Sequence, residues 1–199
     1  LSRHCLLRTV ESPHYPVGCT RVVLPDPTNL DALLPFERTC AQAIDRRIID
    51  PSKLDRTQIA EVSRLAVRAA YRRRRGEKDQ ALPLHEERQH AQKMPRFPYI
   101  PVSLYMGSIA IAREAGVQTL FVLTEPRLAS HFARLGVRIR QIGAPVEHRG
   151  QRVPSMIDVE DVVRTMHRMM RPLWRVVSDQ VLQGGTPQAL HDEIISEVS

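Results

Sequence analysis

Cysteine, lysine and long apolar runs are all scarce in this 199-residue chain, and each scarcity narrows what it can be. Three cysteines, Cys5, Cys19 and Cys40, form an odd count without C-x-x-C spacing. That pattern argues against a disulfide framework or a zinc ribbon and suits a reducing, cytoplasmic compartment. No apolar run approaches the roughly 18 residues of a membrane span, and the first residues lack the order of a signal peptide. Strings of the form G-x-x-x-x-G-K-S/T, G-x-G-x-x-G and G-x-S-x-G are absent, so mononucleotide, dinucleotide and serine-hydrolase readings have no motif. A zinc-protease reading fails on spacing. His85-Glu86-Glu87-Arg88-Gln89-His90 sets its histidines at i and i+5, where one helix face needs i and i+4, and no metal site is expected.

What remains is ordinary for a globular domain: 42% hydrophobic residues and a formal net charge of +7. The excess charge is concentrated in residues 1–100, much of it in the run Arg72-Arg73-Arg74-Arg75 before Gly76. Arginine far outnumbers lysine, and its planar fork suits phosphate and carboxylate. A basic run by itself signals only a positive patch, so a module that binds RNA or an acidic partner without catalysis stays open.

Strand-like and helix-like stretches alternate along the chain, which predicts an α/β domain over residues 1–184 and a tail over 185–199. Residues 5–10 and 17–24 read as two strands of an antiparallel hairpin. One helix is expected over 36–48, the clearest strand over 59–67, and a loop over 77–98. Pro101 suits the first turn of a helix ending near Gly116, followed by a buried strand over 119–123. Glu125-Pro126 opens a second helix with Leu128, Phe132 and Leu135 on one face, then strands are expected over 137–142 and 153–157. Asp158 should cap a last helix with Val162, Met166, Leu173 and Val177 inward, which Pro172 should kink or end. The mixture of arginine and methionine on this last helix leaves room for peripheral membrane contact. The opening string LSRHCLL already reads as a strand in progress, and residue 1 is Leu, so an amino-terminal portion is expected to be missing.

The strand at 59–67 carries the chemistry. Ile59-Ala60-Glu61-Val62-Ser63-Arg64-Leu65-Ala66-Val67 sets an acid, a hydroxyl and a guanidinium among apolar residues, and a buried charge costs several kcal/mol unless it is paired. Two readings fit: a Glu61/Arg64 ion pair closing a sheet surface, or a base and an anchor beside a cleft. Residues i and i+3 of a regular strand face opposite ways. A β-bulge between them would bring both to one side and free a backbone N–H, which is what an oxyanion needs.

Glu61-Val62-Ser63-Arg64 resembles the E-x-S-R signature of acyl-homoserine-lactone autoinducer synthases and of the N-acyl amino acid synthases, both on the GNAT-type acyltransferase fold. The longer string through Leu65-Ala66-Val67, Tyr71-Arg72-Arg73-Arg74 and Gly76-Glu77 is similar to the PEP-CTERM/exosortase system-associated acyltransferases within that group. Arg21-Val22-Val23-Leu24-Pro25, Leu34-Pro35-Phe36-Glu37, Ser103-Leu104, Glu125-Pro126-Arg127-Leu128-Ala129 and Ile142-Gly143-Ala144-Pro145-Val146-Glu147 with Gly150 follow in the same order. Members of the group usually begin with a further helix and strand.

The resemblance implies a GNAT-like fold, a central mixed sheet flanked by helices, and transfer of a fatty acyl group from a thioester to the amine of an amino acid. The donor would be acyl carrier protein or coenzyme A, as a co-substrate, with no bound cofactor. Glu61 becomes the candidate general base and Arg64 the anchor of Glu61 or of the acceptor carboxylate. Backbone near Leu65 to Val67 would hold the oxyanion, beside Ser63. Ser103, Leu104, Ile109, Phe121, Leu123 and Phe132 are candidates for the acyl and substrate wall. Arg72, Arg73, Arg74, Arg75 and Gly76 would meet the acidic surface and phosphopantetheine of a carrier protein, in preference to any specific nucleic acid. An autoinducer synthase that uses S-adenosylmethionine as acceptor is the alternative within the same chemistry.

Overall fold

Alternation in residues 59–67 becomes the central strand of a mixed sheet, and the neighbours of that strand decide where a site can form. The computed structural model describes residues 1–71, 99–126, 129, 132–133, 137–148 and 150–184. Its strands are β1 (Ser2–Arg8), β2 (Pro16–Val23), β3 (Ile59–Val67), β4 (Thr119–Thr124), β5 (Arg140–Gln141), β6 (Val146–Glu147) and β7 (Gln151–Asp158). The helices are α1 (Pro35–Thr39), α2 (Tyr99–Glu114), α3 (Val159–Thr165) and α4 (Arg171–Leu182). The sheet runs β1-β2-β3-β4-β7-β5, with β6 also on β7. Only β3 and β4 are parallel; every other pairing is antiparallel.

Register sorts the side chains into two layers. Val23, Glu61, Phe121 and Met156 stand abreast on β2, β3, β4 and β7. With Ile59 and Leu123 they face α1, where Leu34, Phe36, Cys40 and Ile142 complete a small core. The alternate residues Val22, Ala60, Val62, Leu120, Val122 and Ile157 face α2, α3 and α4 in the larger core. This is the period-two alternation of strands with both faces covered.

Helix α2 is buried continuously from Val102 to Ala112, as a helix apolar on all sides must be, because it lies between the sheet and α4. Gly107 lets it approach β1: a Cβ there would sit 2.5 Å from Cys5 Sγ. Its end is a Schellman motif at Gly116 (φ +74°), with Gly116 N–H donating to Arg113 O and Val117 N–H to Ala112 O.

The hairpin, the 59–67 strand, the helix after Pro101 and the strand after Gly116 appear where the sequence predicts them, within three residues at each end. Three expectations fail. The helix over 36–48 stops at Thr39, because the following segment turns to bond β5's end: Asp45 N–H donates to Ile142 O and Ala144 N–H to Ala43 O. The strand over 137–142 shrinks to Arg140–Gln141, which alone pairs with β7. Pro172 does not end the last helix but begins a new one: Asp158 caps α3 by accepting from Asp161 N–H at 2.7 Å, the chain breaks at Met166, and α4 starts with Pro172 in its first turn. The loop predicted over 77–98, the tail over 185–199, Leu128 and Leu135 lie outside the described residues.

Candidate active site

Pairing between β3 and β4 ends at Val62 opposite Val122, so beyond that point the two strands no longer bond each other. On the other edge of β3, Arg21 pairs with Ser63 and Cys19 with Ala66, so one extra residue is inserted in β3. The bulge predicted between Glu61 and Arg64 therefore falls at Arg64 itself, whose φ is +56°. Alternation would place Leu65 on the face of Glu61; after the bulge it packs with the α2-side core. A break in pairing on one edge and a bulge on the other leave β3 backbone groups open to a ligand.

A cavity of about 430 Å³ occupies this gap. Glu61, Val62, Ser63, Arg64 and Leu65 form its β3 wall, and Leu123 and Glu125 come from β4 and the residue after it. Pro35, Phe36 and Thr39 of α1 line one end and Tyr105 of α2 the other, so the cavity passes through the sheet between its two layers. Arg21, His148 and Arg152 complete it.

Glu61 is 7% exposed. Its Oε2 accepts a 2.6 Å hydrogen bond from Phe36 N–H, one of the first-turn amides of α1 that has no partner within the helix. Helix α1 is held in place from below: Glu37 Oε2 accepts from Leu34 N–H at 2.8 Å, and Arg56 grips both Glu37 oxygens at 2.9 Å while bonding Leu30 O and Ala32 O. Phe36 also stacks on Phe121, centroids 5.0 Å apart. Burial pushes the Glu61 carboxyl above its usual range, against the smaller opposing pull of the Phe36 amide, Arg21, Ser63 and His148. Buried Cys40 is pushed up to about 11 by its own burial and by Glu61's charge, so its thiol stays protonated and serves as packing.

The Glu61/Arg64 ion pair is absent. Among the described residues Arg64 bonds no carboxylate, and Arg21 directs Nε and Nη2 to Ser63 Oγ at 3.2 and 3.1 Å. Arg152 is paired with Glu125 at 3.1 Å. The cavity thus presents two guanidinium groups, those of Arg21 and Arg64, without ion-pair partners among the described residues.

Of the described residues singled out by sequence, Glu61, Ser63, Arg64, Leu65 and Leu123 meet in this cavity; the other described ones do not line it. Phe121 is fully buried against Phe36, and Leu104 is fully buried against β2, near enough that a Cβ on Gly18 would sit 2.9 Å from its Cδ1. Ile109 and Phe132 belong to the α2-side core, Ser103 is buried on α2, and Val67 pairs with Gly18. The expected acyl wall is therefore mostly core. Arg72, Arg73, Arg74, Arg75 and Gly76 lie outside the described residues. Sequence reasoning missed Arg21, Phe36, Tyr105, Glu125, His148 and Arg152 as members of the site. Arg21 carried a signal, a charge in the middle of an apolar strand; His148 and Arg152, in and beside a short hairpin, carried none.

Residues 1–79 match the acetyltransferase (GNAT) domain family. No curated protein sequence matches the chain. Solved structures that resemble it in fold include FeeM and TofI. FeeM, an N-acyl amino acid synthase from uncultured soil microbes, is 15% identical with a TM-score of 0.52, over 83% of this chain and 77% of FeeM. TofI, in a ternary complex with an inhibitor and MTA, is 20% identical with a TM-score of 0.50, over 79% of this chain. The matched part spans 64% of the length of that TofI chain. The match to the acetyltransferase (GNAT) family covers the first 79 residues, and the mixed sheet that continues through β7 has a fold shared with FeeM and TofI.

Proposed function

We propose that this protein is an N-acyltransferase that moves a fatty acyl group from a thioester to the amine of an amino acid. The observation that carries the reading is a single buried carboxylate, Glu61, facing a cavity beside a bulged strand whose pairing stops on the cavity side. An α-ammonium must lose its proton before it attacks. A carboxylate whose proton affinity is raised by burial is the base suited to take it, directly or through one water. The amine nitrogen then bonds the thioester carbonyl carbon, a β3 backbone N–H near Arg64 holds the oxyanion, and the C–S bond breaks to release the thiol.

Arg21 and Arg64 support an acceptor that carries a carboxylate, because neither guanidinium forms an ion pair with an acid among the described residues. For the donor we propose an acyl carrier protein, whose acidic surface and phosphopantetheine the basic run Arg72 to Arg75 before Gly76 complements.

The test is to incubate the protein with palmitoyl-loaded acyl carrier protein, or palmitoyl-CoA, and a mixture of amino acids, and to identify products by mass spectrometry. N-acyl amino acids that vanish with Glu61→Gln support the reading. A lactone from S-adenosylmethionine selects the autoinducer alternative. Steeply salt-dependent RNA binding without any acyl product selects the non-catalytic basic module.

A further inference from the structure

The catalytic cavity shares one residue with a second, smaller void. On the α2 side of the sheet a pocket of about 10 Å³ is walled only by apolar groups, among them Val102, Ile109, Met106, Met166 and Met170. Tyr105 lines both spaces. Its ring packs edge-on against Phe132, centroids 4.3 Å apart, on the apolar side. Its hydroxyl belongs to the other side, where Glu125 lies near enough for its charge to be felt. Tyr105 is 5% exposed, yet its hydroxyl has no hydrogen-bond partner among the described residues. A buried hydroxyl left unbonded is costly, and one aimed into an open cavity is a group held ready for a ligand.

We infer that Tyr105 is the partition that sets how far an acyl chain reaches, and that the methionine-walled pocket beyond it is a latent extension of the acyl subsite. The proposal rests on the acyl-transfer reading. An acyl chain entering between β3 and β4 from the Glu61 side meets the phenol ring edge-on and stops there. Beyond the ring lie Met106, Met166 and Met170, whose unbranched thioethers repack around an intruding chain more readily than branched residues would. The phenol keeps its proton, because burial and the Glu125 charge both oppose ionisation, so the partition stays uncharged where the apolar end of the chain meets it.

The experiment measures kcat/KM of the full chain for a series of saturated acyl donors from octanoyl to stearoyl, with Tyr105→Leu, Tyr105→Phe and Tyr105→Trp beside the wild type. Tyr105→Leu should move the optimum to chains longer by about two to four methylenes, the room left by the lost ring. The long-to-short preference ratio should change by about tenfold or more. Tyr105→Trp should move the optimum toward shorter chains, and Tyr105→Phe, which keeps the ring, should leave it in place. Met166→Phe added to Tyr105→Leu should restore the wild-type optimum by refilling the pocket.

The partition is overturned if folded Tyr105→Leu and Tyr105→Trp keep the wild-type length profile, or if Tyr105→Phe shifts it as far as Tyr105→Leu does. Calorimetric binding of free fatty acids gives a readout without turnover: affinity should level off with chain length in the wild type and keep rising in Tyr105→Leu. Absence of acyl transfer in the wild type, with that binding pattern intact, sinks the acyl-transfer reading and leaves the partition standing. A binding ladder identical in the two proteins sinks the partition.

Discussion

The backbone N–H of Phe36 donates to Glu61 Oε2 at 2.6 Å, tying a helix of five residues to the central strand. One carboxylate thereby has two roles. It satisfies a first-turn amide that α1 cannot bond internally, and it is the only acid of the β3 wall in the cavity. The structural role tolerates a neutral acceptor in place of the carboxylate, whereas proton abstraction does not, so the two can be separated.

Glu61→Gln is expected to lose about 10²- to 10⁴-fold in kcat, the usual contribution of a positioned base, measured by N-acyl product formation. Stability should move the other way. Burial raises the Glu61 pKa in the folded protein, so the contribution of this group is fully present below its unfolded pKa and is lost as pH rises through the folded one. Glutamine keeps an acceptor for Phe36 N–H and never ionises. The Tm of the variant should therefore exceed the wild-type Tm at neutral pH, with the gap closing toward about pH 4. A gap of opposite sign would show that the carboxylate is more stable ionised in place.

Arg56→Ala should cost about 3–5 kcal/mol in urea unfolding, because Arg56 grips both oxygens of the 7%-exposed Glu37 and its loss strands a buried charge. Glu37→Gln with Arg56 retained should cost less, since the new amide oxygen can still accept from Leu34 N–H and Arg56 still bonds Leu30 O and Ala32 O. Equal losses in the two variants would mean that the ionic attraction lost in both carries the cost and that the stranded carboxylate adds nothing to it.

Arg21→Lys should raise KM for the amino acid acceptor by about 10- to 100-fold, with the smaller effect on kcat. Lysine keeps the charge but not the fork that bonds Ser63 Oγ through Nε and Nη2 and leaves Nη1 for a ligand. A rise in KM for the acyl donor instead, with acceptor KM unchanged, would move Arg21 to the donor side of the cavity.

Much of the sheet is legible in the sequence because its strands obey a local rule. Residues 59–67 alternate between two apolar faces, and β3 has the predicted bounds. The rule fails where backbone and side chain disagree. Arg64 adopts φ +56°, a conformation announced in sequence by glycine or asparagine and never by arginine, so the bulge can be expected near Glu61 but not placed. Helix α1 is shorter than its pattern because the segment after Thr39 keeps a helix-like apolar period while its Asp45 N–H is taken by Ile142 O and its Ala43 O by Ala144 N–H, a hundred positions away. The cavity lining differs from the expected acyl wall for a related reason. Phe121 stands on the same face as Glu61 but stacks on Phe36, which leaves the lining to Leu123, a residue the sequence does offer, and to Tyr105, which arrives from a crossing that no local period records.

That mismatch between backbone and side chain at Arg64 is itself testable. A non-glycine residue in the left-handed region costs about 1–2 kcal/mol, and such strain persists where the side chain is needed. Arg64→Gly relieves it while adding about 0.4–1 kcal/mol of chain entropy to the unfolded state, so the net change in stability should be near zero or slightly favourable. Arg64→Val, β-branched and forced to the same φ, should lose about 1–3 kcal/mol. Both variants remove the guanidinium from the cavity and should raise acceptor KM alike. If Arg64→Gly is as damaging to stability as Arg64→Val, the arginine side chain holds the bulge together; if it leaves stability and acceptor KM both unchanged, Arg64 is neither strained nor an anchor. The expected outcome, stability kept and acceptor binding lost, identifies a residue retained at backbone cost for what its side chain binds.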